Sequence, residues 1–281
     1  MKEITLFKSK TGPITNYDFL RALETVLGDP PSVLYMHTAL TFGLPNPQLG
    51  RQAMLELMFE VFSSLRIATL CVPTFTFSFC NNEPFDVATT TSCMGALNEY
   101  IRKLPQAIRS SDPLMSVAMI GKDRDLVDNL GRESIGADST FDRLRKKRGV
   151  KFLFFGPSLG DCCTYMHYLE WLAQVPYRYN RTFRGKVRDD RGEREEDWTL
   201  FVRYNGVEPN SASHDLAAQL KTMGYLKKAS VGDASISAVD KEDVSIEYLA
   251  RLAHNQSCYI TELFCEGAKD DTFAVRKMVA L

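Results

Sequence analysis

His167 and Glu170 are the residues whose types and spacing are best suited to acid–base chemistry. They follow the apolar run 150–155 and a Gly/Pro/Ser turn, and the pattern predicts a helix over 162–173 with Asp161 as its N-cap. Residues three apart share a helix face, so the carboxylate can orient the imidazole and raise its basicity. The pair therefore predicts a general base.

The same spacing has simpler explanations. An H-x-x-E pair is common, and on spacing alone an ordinary His on an amphipathic helix explains it. A metal site is disfavoured because catalytic zinc needs three protein ligands, and the seven cysteines include no C-x-x-C pair. A position after a buried strand favours a site, since ligands of open α/β sheets bind beyond the carboxyl ends of the strands.

The elements that must position this pair alternate along the chain. We expect an α/β fold with a central, mostly parallel sheet flanked by helices and a late antiparallel excursion. Helices are predicted at 16–27, 49–65, 94–103, 123–130, 139–147, 162–173, 214–223 and 242–254, and strands at 32–37, 67–73, 117–120, 150–155, 178–187, 198–204, 227–231 and near the C-terminus. Thr91 or Ser92 is expected to cap the helix at 94–103. No repeat or linker is visible, so a single domain over residues 1–281 is expected.

Composition narrows the functional class. The formal net charge of -1 argues against a nucleic-acid binder, which needs clustered Lys and Arg. No apolar run approaches the roughly 20 residues that cross a bilayer, and the first residues lack the apolar core of a signal peptide. We therefore expect a cytoplasmic protein without membrane or nucleic-acid partners.

Further short segments along the chain form an ordered series with His167 and Glu170. They are His37–Leu40, Pro73–Thr76, Phe85–Asp86, Met94–Leu97 with Glu99, Arg109–Ser110, Pro113, Ser116, Gly121, Phe155–Gly156, Thr164, His167, Glu170 and Tyr177–Arg178. In this order they resemble the aminoglycoside 3-N-acetyltransferase family, the antibiotic N-acetyltransferases, whose fold differs from that of the GNAT acetyltransferases. The resemblance is strong over 34–178 and weaker through 231–234.

The resemblance implies transfer of an acetyl or other short acyl group from acyl-CoA to the amine of an amino sugar, without a metal. By similarity His167 is the general base, Glu170 orients it, and Thr164 belongs to the catalytic group. The coenzyme residues it implies are His37, Thr38, Thr74, Thr76, Arg109, Ser110 and Ser116, and the substrate residues are Asp86, Arg178 and Asp215. Candidate oxyanion donors are Thr76, Thr164 and the backbone amides of 37–40.

Simpler roles remain open for several of these residues. Thr74, Thr76 and Ser116 could cap turns or strand ends equally well. Asp86 could be a loop-capping carboxylate, and Asp215 an ordinary acidic residue in a first helical turn.

The sequence departs from the family in two respects. Asp112 stands where the family usually has a His before the proline of this element, which bears on substrate identity. The chain is also nearly neutral and carries Arg178, Arg181, Arg184, Lys186 and Arg188 in one run. Such a run is usually a solvated hairpin, but if part of it faces the cleft it suits an anionic acceptor.

We therefore expect a nucleotide-linked amino sugar for surface polysaccharide as acceptor, with aminoglycoside resistance as the alternative. Three interpretations compete with this one. The chain could be a thioesterase or amidase that uses a Cys–His arrangement, a transferase with a ping-pong route through Cys162 or Cys163, or a non-catalytic CoA-binding relative. The oligomeric state is left open, with a homodimer as one expectation.

Overall fold

The computed structural model describes residues 2–261. The strands are β1 (Thr5–Ser9), β2 (Gly12–Thr15), β3 (Val33–Thr38), β4 (Leu44–Pro45), β5 (Thr69–Pro73), β6 (Phe85–Asp86), β7 (Ile108–Arg109), β8 (Val117–Gly121), β9 (Val150–Gly156), β10 (Arg178–Asp189), β11 (Gly192–Arg203), β12 (Lys227–Val231) and β13 (Ala234–Asp240). The helices are α1 (Asn16–Leu27), α2 (Arg51–Ser64), α3 (Ala96–Arg102), α4 (Thr140–Lys146), α5 (Leu159–Cys162), α6 (Tyr165–Leu172), α7 (Ala212–Thr222) and α8 (Lys241–His254). None of the helices described is long and apolar enough to span a bilayer.

A seven-stranded sheet in the order β12-β13-β9-β3-β5-β8-β7 forms the centre. The α/β class with flanking helices and a late antiparallel hairpin is confirmed. Within this seven-stranded sheet, however, β3 pairs in parallel with β5 and with β9, and the other neighbouring strands are antiparallel. The sheet is therefore mixed rather than mostly parallel, because β8 and β13 lie antiparallel to β5 and β9 even after long connections.

The two faces of the sheet are covered by different helices. Side chains alternate along β3, so Leu34 and Met36 pack on one face with apolar residues of α1, α2 and α3. Tyr35 is buried on the other face with residues of α4, α6, α7, α8 and the β10–β11 hairpin. This alternation puts His37, at the carboxyl end of β3, on the face that carries α6.

Three predicted helices differ from the structure. α3 starts only at Ala96 after Gly95, without a side-chain cap from Thr91 or Ser92. The segment 123–130 contains only the 3₁₀ turn Arg124–Leu126. The helix expected at 162–173 is divided, because Ser158 rather than Asp161 is the N-cap of α5 and Cys163 has a non-helical backbone. The strand expected near the C-terminus lies outside the described residues.

Candidate active site

A cavity of about 880 Å³ opens at the carboxyl ends of β3, β5 and β9. Its walls are His37, the segment after β5, the α5–α6 connection, both strands of the hairpin and residues after β11. Gly156 ends β9 with φ 104°, and a Cβ there would lie 1.9 Å from the carbonyl oxygen of Ala39. A glycine is therefore needed for the ends of β9 and β3 to approach so closely at the edge of the cavity.

The predicted pair faces this cavity. Nδ1 of His167 lies 3.1 Å from Oε2 of Glu170, as expected for residues three apart on α6. The His167 side chain is 45% exposed and that of Glu170 only 5%, so the imidazole meets solvent while the carboxylate lies behind it. The hydroxyl of Tyr177 donates to Oε1 of Glu170 at 2.7 Å. This arrangement is that of a base with a buried orienting carboxylate.

Arg178 is a third member of this group. Its Nε lies 2.8 Å from Oε2 of Glu170, and its Nη2 lies 2.9 Å from Nδ1 of His167. Nδ1 can donate to Glu170 or accept from Arg178, but not both at once. Only the tautomer that donates to Glu170 leaves Nε2 free to accept a proton from a substrate amine. Arg178 lines the cavity wall, but its guanidinium is held by the catalytic pair.

Charge and burial set the protonation of the pair. Although part of its side chain faces the cavity, the imidazole is desolvated by the surrounding protein. This desolvation, followed by the charge of Arg178, lowers the pKa of His167 below the ordinary 6.5, although Glu170 acts in the opposite direction. Burial disfavours ionised Glu170, but Arg178, His167 and Tyr177 together outweigh it and bring its pKa to about 2. At neutral pH the imidazole is therefore neutral and the carboxylate charged, which is the state a general base needs.

The acid limb of the pH–rate profile tests this coupling. It should lie below pH 6.5, and Arg178→Met should move it to higher pH, because removal of the guanidinium favours imidazolium beside Glu170. Arg184→Met is the matched control, since Arg184 lies on the same strand, is 71% exposed and pairs with Asp197. An acid limb that is the same in both variants would contradict the role of Arg178. The measurement is kcat/KM against pH.

The residues predicted for coenzyme binding divide into two groups. His37, Thr76 and the catalytic candidate Thr164 line the cavity. Thr74, Ser110 and Ser116 are instead buried. The Thr74 hydroxyl donates to the carbonyl oxygen of Ser116, and the Ser116 hydroxyl donates to that of Thr74. The Ser110 hydroxyl accepts the N–H of Val117. Thr38 donates to Asn98 and is absent from the cavity wall. In all four, neighbouring protein groups use the hydroxyl, so a coenzyme contact of these residues stays a prediction.

Arg109 is likewise turned into the protein. Its guanidinium donates to the carbonyl oxygens of Val87, Thr90 and Thr74 at 3.2, 2.7 and 2.8 Å, and it lies 4.9 Å from the centroid of the Phe85 ring. Burial lowers its pKa to about 9. Arg109 thus ties the loop after β6 to the end of β5, and its contact with a phosphate stays a prediction.

Arg109→Ala should accordingly lower the free energy of unfolding by on the order of 3 kcal/mol, because several buried carbonyls lose their donor. The KM for acetyl-CoA of the folded variant should change little. Urea denaturation and steady-state kinetics measure the two quantities. Arg124→Ala is the control, since Arg124 is 65% exposed and makes one helical ion pair. A raised KM at unchanged stability would support the phosphate role instead.

Two predicted substrate acids lie away from the cavity. Asp86 accepts the N–H groups of Ala88 and Thr89 at 2.9 Å each, which makes it a loop-capping carboxylate. Asp215 is exposed in the first turn of α7. Neither lines the cavity, so their contact with a substrate stays a prediction.

Asp112 is buried and accepts hydrogen bonds from the N–H groups of Leu114 and Met115 and from the hydroxyl of Ser134, so its role is to close a turn.

The arginine-rich run is mostly a solvated hairpin, as expected by default. Arg184 pairs with Asp197, and Lys186 and Arg188 pair with Glu193, all on exposed strand positions. Of the cations in this run, Arg178 lines the cavity.

Sequence reasoning missed three charged residues of the cavity wall. Arg203 lies directly opposite Arg178 in the hairpin register, and its guanidinium makes no hydrogen bond within residues 2–261. Counting the register outward from the turn at 189–192 could have found it. Glu83 and Asp161 also line the cavity. Asp161 was expected only as a helix cap, and it lies 3.5 Å from Nε2 of His214.

Cys162 and Cys163 both line the cavity, but neither is an activated thiol. Burial raises the pKa of Cys163 to about 12, and burial together with its neighbours raises that of Cys162 further. Since the thiolate is the nucleophile, both cysteines are poorly suited to a covalent intermediate.

Comparisons with known proteins point to one family and one fold. The model of the aminoglycoside 3-N-acetyltransferase family matches residues 48–252. Similar solved structures include AAC-IIIb in binary complex with CoASH (16% identity, TM-score 0.69, covering 85% of this chain and 96% of that one). A mutant of AAC(3)-IVa in complex with a gentamicin (20%, 0.69, 92% and 93%) and YokD from Bacillus subtilis (15%, 0.66, 85% and 99%) are also similar. At these identities the likeness shows the fold. No curated protein sequence matches significantly.

Proposed function

Because the chain belongs to the aminoglycoside 3-N-acetyltransferase family, we propose that it transfers the acetyl group of acetyl-CoA to a primary amine of an aminoglycoside-type amino sugar. One observation carries the proposal: His167, backed by buried Glu170, faces a cavity large enough for a small-molecule substrate. The family match favours this acceptor over the nucleotide-linked sugar that the arginine-rich run suggested, and most of that run is engaged in ion pairs outside the cavity.

In the proposed reaction the substrate amine lies against Nε2 of His167. A sugar ammonium cannot attack a carbonyl until it loses a proton, and the neutral imidazole accepts that proton. The acyl donor enters the same cavity, because direct transfer needs the amine and the thioester within contact distance. AAC-IIIb, which shares the fold, binds CoASH, and this supports coenzyme A as the carrier.

The charges of the cavity wall indicate which kinds of acceptor the cavity could bind. Glu83 and Asp161 supply carboxylates that suit a cationic amino sugar. Arg203 supplies a guanidinium that makes no hydrogen bond among the described residues, and it favours a second candidate, an amino sugar carrying an anionic group such as a nucleotide diphosphate.

The test is release of the CoA thiol from acetyl-CoA against a panel of aminoglycosides and a panel of nucleotide-linked amino sugars. Turnover with aminoglycosides supports the proposal. Turnover restricted to the nucleotide-linked sugars, and weakened in Arg203→Gln, supports the second candidate. CoA binding without turnover on either panel would reject both acceptor classes.

The covalent route has its own test. The double variant Cys162→Ala/Cys163→Ala should retain kcat for acetyl transfer, because neither thiol is poised to ionise. Its thermal stability should fall, since Cys163 is buried. Loss of the acetyl-enzyme burst together with all turnover would instead establish a cysteine intermediate.

A further inference from the structure

His37 is a buried polar side chain at the cavity whose outer nitrogen has no partner. The residue is 6% exposed and lines the cavity, yet its Nε2 makes no hydrogen bond within residues 2–261. Its ring is stacked on Phe154 with 4° between the planes and 5.6 Å between centroids, and it also packs against Tyr35 at 5.3 Å. Leaving a buried polar nitrogen unpaired, whether it donates or accepts, is unfavourable by about 1–3 kcal/mol, so a ligand is the natural partner.

Acyl transfer creates a need for such a donor. The thioester carbonyl oxygen becomes negative in the tetrahedral intermediate and requires hydrogen bonds aimed at it. Two earlier candidates are committed elsewhere: the Thr76 hydroxyl donates to the carbonyl oxygen of Pro113 at 2.9 Å, and the N–H of Ala39 donates to that of Phe155 at 2.9 Å. Thr164 keeps a hydroxyl without a hydrogen bond within the described residues and can be a second donor.

The protonation state of His37 suits a donor rather than a base. Burial, with a further contribution from His167, lowers its pKa to about 3, so the ring is neutral at physiological pH. A neutral imidazole carries one N–H and can polarise a carbonyl without taking part in proton transfer. The two cavity histidines are thus differentiated: His167 is backed by a carboxylate and His37 by an aromatic ring.

We propose that Nε2–H of His37 donates a hydrogen bond to the thioester carbonyl oxygen and stabilises the tetrahedral intermediate. This inference rests on the proposed acetyl transfer. The ammonium proton first leaves through His167 to solvent, so that the imidazole is neutral again. The amine lone pair then forms the C–N bond, the carbonyl π pair moves to the oxygen held by His37, and the second amine proton passes to His167. When the C=O bond re-forms, the C–S bond breaks, its electron pair stays on sulfur, and His167 returns the proton to the thiolate.

The test uses acetyl-CoA labelled with ¹³C at the carbonyl and infrared difference spectroscopy of the bound thioester. In the wild-type protein the C=O stretch should move to lower wavenumber than in solution. His37→Phe keeps an aromatic ring in the stack but removes the donor, and the band should return toward its solution position. His37→Gln restores an amide donor and should recover part of the shift. His37→Leu makes the same comparison with a smaller apolar side chain.

Kinetics provide the second readout. His37→Phe should lower kcat by on the order of 10²–10³-fold, while the Kd for CoA changes little and His37→Gln regains part of the rate. An unshifted band in the wild type, or a loss of rate matched by an equally weakened CoA affinity, would mean that His37 only lines the coenzyme path and does not stabilise the intermediate. Because the infrared signal needs no acceptor, a shifted band in a protein that acetylates neither panel would contradict the proposed function and still establish the hydrogen bond from His37 to the thioester carbonyl oxygen.

Discussion

Replacement of His167 by alanine is expected to lower kcat for acetyl transfer about 10²–10⁴-fold, because it removes the imidazole that accepts the proton of the amine. The free energy of unfolding should change little, since nearly half of this side chain is exposed to the cavity. The measurements are thiol release under saturating acetyl-CoA and urea denaturation of the same preparations.

The pH profile distinguishes loss of a base from loss of a binding contact. The His167→Ala variant should lose the acid limb and gain rate steadily with pH, as more of the substrate amine is already unprotonated. His214→Ala is the matched control, because His214 is an exposed histidine that contacts Asp161 on the wall of the same cavity. If both variants lose the same modest factor, neither histidine is the base.

Glu170→Gln is expected to lower both the free energy of unfolding and kcat. The substitution keeps the shape of the side chain but removes the charge opposite Arg178, whose side chain is only 7% exposed. Breaking a buried ion pair from one side costs about 3–5 kcal/mol. It also weakens the contact that orients His167, so kcat should fall on the order of 10²-fold. Tyr177→Phe, which removes one hydrogen bond to the same carboxylate, should cost only about 1 kcal/mol.

The stability of Glu170→Gln should also respond differently to pH. The pKa of Glu170 is lowered from 4.5 to about 2, so its contribution is fully present above pH 4.5 and is lost as the pH falls toward 2. The difference in unfolding free energy between wild type and variant should therefore narrow over that interval and be constant near neutrality. A difference that persists at low pH would mean that the loss comes from packing alone.

Local patterns were sufficient for much of the fold and for the centre of the site. The three-residue spacing of His167 and Glu170 determines that they meet on any helix, and the structure places Nδ1 and Oε2 3.1 Å apart. The continuous apolar run 150–155 predicted a strand buried on both faces, and β9 is such a strand. The turn residues 189–192 likewise predicted the hairpin of β10 and β11.

Tertiary structure decided which polar side chains are free to act. Arg109, Thr74 and Ser116 have the residue types of a phosphate and pantetheine site, yet folding brings them together and they satisfy one another. A hydrogen-bond donor serves a ligand only if no buried acceptor is nearer, and that depends on contacts between residues far apart in the chain.

Contacts between residues far apart in the chain also give the arginines and the histidines their different roles. Arg178 and Arg184 stand six residues apart on one strand, but the packing of the hairpin against α6 takes Arg178 to Glu170 and leaves Arg184 in solvent. His37 was recognisable from the sequence as a polar residue at the end of a strand. Its unpaired Nε2 exists only because β3, β9 and the cavity surround it, since desolvation is a property of the assembled fold rather than of local sequence.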